Sequence, residues 1–66
     1  MASAQDIDAA LGLVVDGVIE RRLNFWSAVG ELRKLLDGCS VTFAHSNLVA
    51  ELKKRGHADL VRGLPV

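Results

Sequence analysis

The sequence lacks the features that define several common classes of small protein. It has a single cysteine, Cys39, which cannot form an internal disulfide, so a reducing cytoplasmic compartment is the expectation. No apolar run approaches the roughly 20 residues of a membrane span, and the stretch LGLVV is flanked by aspartates, unlike a signal peptide. With one proline, 24% charged and 50% hydrophobic residues, the composition is that of a folded globular chain.

Catalytic and cofactor-binding motifs are also missing from the sequence. It contains no phosphate-binding glycine loop, no paired carboxylates and no nucleophile–base arrangement. Cys39, His45 and His57 are separated by five and eleven residues, which matches no compact zinc pattern, and a fourth ligand is missing. We therefore expect neither an enzyme nor a bound cofactor or metal.

Charge is balanced overall but unevenly distributed along the chain. Residues 1–32 carry five acidic and two basic residues, a net of −3, whereas residues 33–66 carry six basic and three acidic residues, a net of +3. A net charge of zero gives no strong field to attract nucleic acid. Two oppositely charged halves suit packing on each other, head-to-tail or antiparallel self-association, or a weak basic patch at one end.

The N-terminal third has the pattern of an amphipathic helix. Ser3 is a suitable N-cap, and Asp6 lies in the first turn, where the helix dipole favours a negative charge. Apolar residues then recur on one face at helical spacing, and other apolar residues widen that face. The face consists of Ile7, Leu11, Val14 and Val18, widened by Ala10, Leu13, Val15 and Ile19.

A second apolar stripe follows the first by 18 residues, which is five helical turns. It consists of Phe25, Val29, Leu32 and Leu36. Because the two stripes are in phase, the pattern favours one long helix through Asn24, either straight or kinked. The alternative remains open, since Asn24 is itself a good N-cap and Leu23 could contact Ala28 as a hydrophobic staple. In both cases Asp37 and Gly38 end the helix.

The C-terminal third predicts shorter helical pieces. We expect Val41 and Phe43 to lie in a loop and to fill the core, and Ser46 or Asn47 to cap a helix that runs through Arg55. Gly56 ends that helix, one or two further turns follow within residues 57–62, and Gly63 and Pro65 close them. The inner face of the helix is predicted to carry Leu48, Val49 and Leu52.

These elements predict a single all-α domain over residues 1–66. A continuous helix of roughly 34 residues would span about 50 Å, and the shorter helices that pack back would cover only about half of it. The rest of its apolar stripe would need a second copy or another protein. The expected architecture is therefore a helical-bundle dimer.

The function expected from this architecture is that of a small protein–protein interaction module, such as an adaptor, inhibitor or regulator. Its expected partners are a second copy of itself and another protein, with no membrane involved. Aromatic residues within an apolar stripe are common interface anchors. The expected interface residues are Val18, Phe25, Trp26 and Val29.

The alternative is a small DNA-binding transcriptional regulator. Residues 47–64 have the outline of a helix, a glycine turn and a second helix, although Gly56 fits the helix-turn-helix pattern poorly. The nucleic-acid contacts in this alternative would be Lys53, Lys54 and Arg55, which could bind phosphates. Three cations in the last turn of a helix are equally well explained by the helix dipole.

Overall fold

Three α-helices and one 3₁₀ turn make up the structure, a computed structural model that describes residues 3–63. The described residues contain no strand, so the all-α prediction is confirmed. None of the described helices combines the length and the apolar character needed to cross a bilayer. In chain order the elements are α1 (Ala4–Ile19), α2 (Phe25–Leu35), α3 (Val41–Lys54) and the 3₁₀ turn (Ala58–Leu60).

The chain breaks between α1 and α2, so the predicted continuous helix is wrong. Asn24 has extended backbone, and its side-chain oxygen accepts a hydrogen bond from the Ser27 backbone N–H at 2.8 Å. This is the N-cap that the sequence left open as the alternative. The longest dimension of the molecule is 31 Å, whereas a continuous helix would measure about 50 Å. Helix α2 packs against α1 instead of extending it.

A left-handed residue ends α1. Arg21 has a φ of 66°, a conformation in which glycine is usual. The Arg22 N–H donates to the Gly17 carbonyl at 2.8 Å, and the Arg21 N–H donates to the Val18 carbonyl at 3.2 Å. These two hydrogen bonds form a Schellman motif, which satisfies carbonyls at the end of the helix and reverses the chain.

Helix α3 begins earlier than predicted. Its N-cap is Ser40, whose hydroxyl accepts a hydrogen bond from the Phe43 N–H at 3.0 Å, and neither Ser46 nor Asn47 caps it. Val41 and Phe43 are exposed on its first turn, so their predicted place in the core is wrong. Helical spacing explains this for Phe43, which lies about 100° from the inner face. That face carries Ala44, Leu48 and Leu52.

Asp37 and Gly38 end α2 and Gly56 ends α3, as predicted, and Asp37, with a φ of 58°, holds the first left-handed position after α2. Gly38 and Gly56 have φ values of 74° and 80°, and the His57 N–H donates to the Leu52 carbonyl at 2.8 Å. One turn of 3₁₀ helix follows, in agreement with the prediction for residues 57–62. Pro65, predicted to close this segment, lies outside the described residues.

All three helices share one hydrophobic core. Its closure within a single copy corrects the expectation that the apolar stripe stays partly uncovered. The accessible surface is 4267 Å², close to the roughly 4100 Å² of a compact monomer of this mass. The two predicted stripes do supply most of the core, in which the buried residues are Leu11, Val14, Val15, Val18, Phe25, Ala28, Val29, Leu32, Leu36, Ala44, Leu48 and Leu52.

Candidate interaction groove

Of the four predicted interface residues, the structure leaves only Trp26 on the surface. Val18, Phe25 and Val29 are buried in the core that α1, α2 and α3 form together. Most of their surface is therefore covered by the protein's own helices. The apolar stripe therefore explains the fold, and among the four predicted interface residues Trp26 has the side chain most accessible to a partner.

Trp26 lies on the edge of a groove of about 500 Å³. The groove runs between the turn that joins α1 to α2 and the segment that follows the 3₁₀ turn. Its volume falls in the usual range of small-molecule pockets, about 300–1,000 Å³. The residues that line it are Val18, Arg21, Leu23, Asn24, Phe25, Trp26, Leu60 and Arg62.

An aromatic cluster fixes the position of the indole ring. The His45 imidazole stacks on Trp26, with 6.0 Å between ring centroids and 21° between ring planes. Phe25 meets both rings edge-on, at centroid distances of 5.2 Å to Trp26 and 5.5 Å to His45. Offset-stacked and edge-to-face pairs are the favourable aromatic geometries. Trp26, 41% exposed, is therefore held on one side and open on the other.

His45 also ties down the second wall of the groove. Its Nε2 lies 2.7 Å from the Arg62 backbone carbonyl, and because a carbonyl only accepts, this nitrogen donates. The Arg62 guanidinium in turn donates to the backbone carbonyls of Asp59 and Val61, each at 3.1 Å. Leu60, partly buried against the core, anchors the same segment. The wall is thus attached to α3 by both polar and apolar contacts.

The groove is positively charged. Its lining includes Arg21 and Arg62 and no acidic residue. Among residues 3–63, Arg21 has no carboxylate within 4.0 Å, whereas its neighbour Arg22 pairs with Glu20 at 3.1 Å. An apolar surface flanked by two guanidinium groups suits a ligand that combines an apolar group with negative charge.

The predicted phosphate contacts do not form one free basic cluster. The Arg55 guanidinium donates hydrogen bonds to the carboxylates of Asp16 at 2.5 Å and Glu51 at 3.0 Å, and Glu51 lies four residues before it in the chain. The hydrogen bond to Asp16, followed by that to Glu51, raises the pKa of Arg55 above its ordinary value. Of the three predicted contacts, only Lys53 and Lys54 therefore remain exposed and without an ion pair among the described residues.

The second helix of the helix-turn-helix outline is not formed. After Gly56 the described chain makes only the three-residue 3₁₀ turn, which is too short to enter a DNA groove as a recognition helix. This removes the geometric part of the DNA-binding alternative. The electrostatic part, which consists of two exposed lysines, remains.

The metal-ligand candidates also have other positions in the fold. Cys39 is a partly buried free cysteine whose backbone carbonyl accepts a hydrogen bond from Arg33 Nε at 2.7 Å. His45 belongs to the aromatic cluster, and His57 precedes the 3₁₀ turn. Within residues 3–63, no three His, Cys, Asp or Glu side chains come together as a possible metal site.

Sequence reasoning missed most of the groove. Arg21, Leu60 and Arg62 carried no signal beyond ordinary surface or turn residues, and His45 was named only among the rejected metal ligands. One signal was available for His45: it lies one residue after Ala44 on α3, so it borders the inner face at about 100°. No pattern in the sequence connects it with Trp26, 19 positions earlier.

Together, the fold and the groove define a small three-helix protein with an open cationic groove beside a surface tryptophan. No family model, no curated protein and no solved structure matches this chain. Its function must therefore be argued from its own residues.

Proposed function

We propose that the protein is a small helical protein–protein interaction module that acts as an adaptor, inhibitor or regulator. It binds an apolar side chain of its partner in the groove, with Trp26 as the anchor. In this proposal the protein is not an enzyme and uses no cofactor. The proposed compartment is the cytoplasm, in keeping with the free thiol of Cys39.

The observation that carries the proposal is the position of Trp26. Tryptophan is among the residue types most enriched at the energetic centres of protein interfaces, where it fills a pocket and excludes water. In this protein the indole is 41% exposed, borders a groove and is stacked on His45. A ring that is already oriented loses little conformational freedom when it binds, so more of its contact energy appears as affinity.

The proposed partners are a second copy of the chain and another protein. Because the core is closed within one copy, association in this proposal uses exposed side chains and leaves the core intact. Large apolar side chains are exposed on all three helices, and isolated ones are common on protein surfaces. They are Leu13 on α1, Trp26 and Leu35 on α2, and Val41 and Phe43 on α3.

A site-specific photocrosslinker tests the proposal directly. Benzoylphenylalanine is incorporated at position 26, cells of the native source are irradiated, and covalent adducts are identified by mass spectrometry. The matched control is position 35, because Leu35 is also an exposed apolar residue of α2 and nine residues at 100° each place it on the opposite side of the helix. We expect a defined protein adduct from position 26 in clear excess over position 35. Equal or absent labelling at position 26 would contradict the proposal.

The DNA-binding alternative rests on the exposed Lys53 and Lys54. Fluorescence anisotropy of labelled random duplex DNA, measured with the wild type and the Lys53→Gln/Lys54→Gln variant at two salt concentrations, separates the two functions. We expect no binding by either protein at micromolar concentration. Micromolar binding by the wild type, with a log K against log salt slope that shrinks by about 2 in the variant, would instead favour DNA binding.

A further inference from the structure

We propose that the groove of one copy receives the outward face of α1 of a second copy, centred on Leu13, and that the second copy returns the same contact. This inference rests on the proposed function, because it names the occupant of the same groove. It goes further in assigning the second surface and in making self-association and partner binding compete.

The outward face of α1 combines an exposed apolar residue with acidic neighbours. Leu13 is 60% exposed, the highest value among the large hydrophobic residues of the described chain. Three acidic residues lie on the same side of the helix as Leu13, because they are separated from it by three or seven positions. These residues are Asp6, Asp16 and Glu20, and all three are exposed.

The net charge of this face is negative even after its ion pairs are considered. Glu20 is neutralised by Arg22 at 3.1 Å. Asp16 shares the single guanidinium of Arg55 with Glu51, so two carboxylates face one cation. Among residues 3–63, Asp6 accepts a hydrogen bond only from the Ser3 backbone N–H and pairs with no cation. The face therefore offers one leucine within a region of net negative charge.

The groove has the complementary character. Leu23, Leu60 and Trp26 provide apolar walls for a leucine side chain, and Arg21 and Arg62 provide positive charge beside them. Complementary potentials guide association and fix which surfaces meet.

The backbone at Arg21 gives independent support. A non-glycine residue in the left-handed region carries a conformational cost, and such residues cluster at ligand-binding and switch segments. Asp37, with a φ of 58°, is also left-handed but does not line the groove. Arg21 has a φ of 66° at the position of the Schellman motif where glycine is usual, and its side chain lines the groove. The structure thus keeps an arginine where glycine would be the more stable choice.

Self-docking has a regulatory consequence. Because the same groove serves both occupants, a protein partner and a second copy exclude each other. Binding of a partner should therefore dissociate the self-associated form, and self-association at high concentration should weaken partner binding.

A charge exchange between the two surfaces tests the proposal. Arg21→Glu reverses the charge in the groove, and Leu13→Lys places a cation at the centre of the α1 face. Both positions are exposed, so circular dichroism should show an unchanged fold. Sedimentation equilibrium from micromolar to millimolar concentration should show wild-type protein above the monomer mass of 7.1 kDa. Each variant alone should self-associate about tenfold or more weakly, which corresponds to about 1.4 kcal/mol.

An equimolar mixture of the two variants should restore association. In the mixed dimer one contact is wild type on both sides, and the other pairs the lysine introduced at position 13 of one copy with the glutamate introduced at position 21 of its partner. Leu35→Lys, a change of another exposed leucine that lies outside both surfaces, should leave association unchanged. Self-association that survives both variants, or a mixture that fails to recover, would overturn the proposal.

The outcomes also separate this inference from the proposed function. A wild-type protein that remains monomeric over the whole concentration range overturns self-docking. It leaves the crosslinking experiment at position 26 as the test of the groove. A heterologous adduct at position 26 in a protein that is monomeric would thus support the interaction module and reject the second copy as an occupant.

Discussion

Leu23 packs so closely on Gly17 that a Cβ atom at position 17 would lie 2.8 Å from Leu23 Cδ1 and 3.2 Å from its Cγ. The Leu23 N–H also donates to the Gly17 carbonyl at 3.1 Å. The residue that follows the reversal is therefore attached to the last turn of α1 by both its backbone and its side chain. This contact sets how closely the α1–α2 turn folds back.

Gly17→Ala should destabilise the protein by about 1 kcal/mol. The new methyl group forces Leu23 to move, which costs about 1–3 kcal/mol, and the higher helix propensity of alanine offsets about 1 kcal/mol of that loss. Gly30→Ala is the matched control, because nothing lies within 4 Å of a Cβ there and alanine should stabilise α2 by about 0.5–1 kcal/mol. Urea unfolding followed by circular dichroism measures both, and equal effects of the same sign would refute the close-packing argument.

Arg21→Gly should stabilise the protein by about 0.5–1 kcal/mol, because glycine adopts the left-handed conformation without the steric cost that arginine carries. The neighbouring Arg22→Gly change should instead destabilise the protein slightly. Arg22 does not have a positive φ, so glycine relieves no strain there and only increases the conformational entropy of the unfolded chain. Thermal melts provide the comparison. If self-docking is correct, Arg21→Gly should also weaken self-association, so stability and association would change in opposite directions.

Val18→Asp should be among the most destabilising single changes, with a loss of about 3–5 kcal/mol. Val18 is buried in the shared core, and a carboxylate placed there loses most of its hydration. A domain of this size has little stability to spare, so the variant should be largely unfolded by far-ultraviolet circular dichroism. Leu13→Asp, on the outward face of the same helix, should change the unfolding free energy by no more than about 0.5 kcal/mol. Similar melts for the two variants would mean that the faces of α1 are misassigned.

The contact between Asp16 and Arg55 joins α1 to the end of α3, 39 positions apart. A double-mutant cycle with Asp16→Asn and Arg55→Gln should give a coupling energy of about 0.5–1 kcal/mol, since both side chains are partly exposed. High salt should reduce it. The pKa of Arg55 is raised in the folded protein, so its contribution to stability is fully present at every pH below the ordinary pKa of arginine. That contribution is lost only as the pH rises through the raised pKa. A coupling unaffected by salt would argue against a direct ion pair.

Local patterns in the sequence were sufficient to predict most of the residues through which the helices form the core. The Ser3 cap with Asp6, the glycines after α2 and α3, and nearly all of the two apolar stripes are where the sequence placed them. Such features depend on residues three, four or five positions apart, and the helix geometry that relates them is the same in every protein. The beginning of α3 was missed because Ser40 was not considered as a cap and Val41 and Phe43 were assumed to need burial.

The break after α1 could not be decided in the same way. Its left-handed position holds an arginine where a glycine would have signalled a helix end, and the stripes on either side of it are in phase by coincidence of length. The fit of Leu23 on Gly17 helps to stabilise the break, and α3 contributes further by covering both stripes at once.

The sequence by itself therefore determined that the protein is helical, which residues of α1 and α2 form most of the inward face, and where α1 is capped and α3 ends. Only the tertiary structure decided that the chain folds back on itself and that a groove lies beside Trp26. The physical reason is that Arg21, Trp26 and Arg62 come together from the α1–α2 turn, α2 and the C-terminal segment. Contacts between such distant segments depend on how whole helices pack, and no spacing in the sequence encodes them.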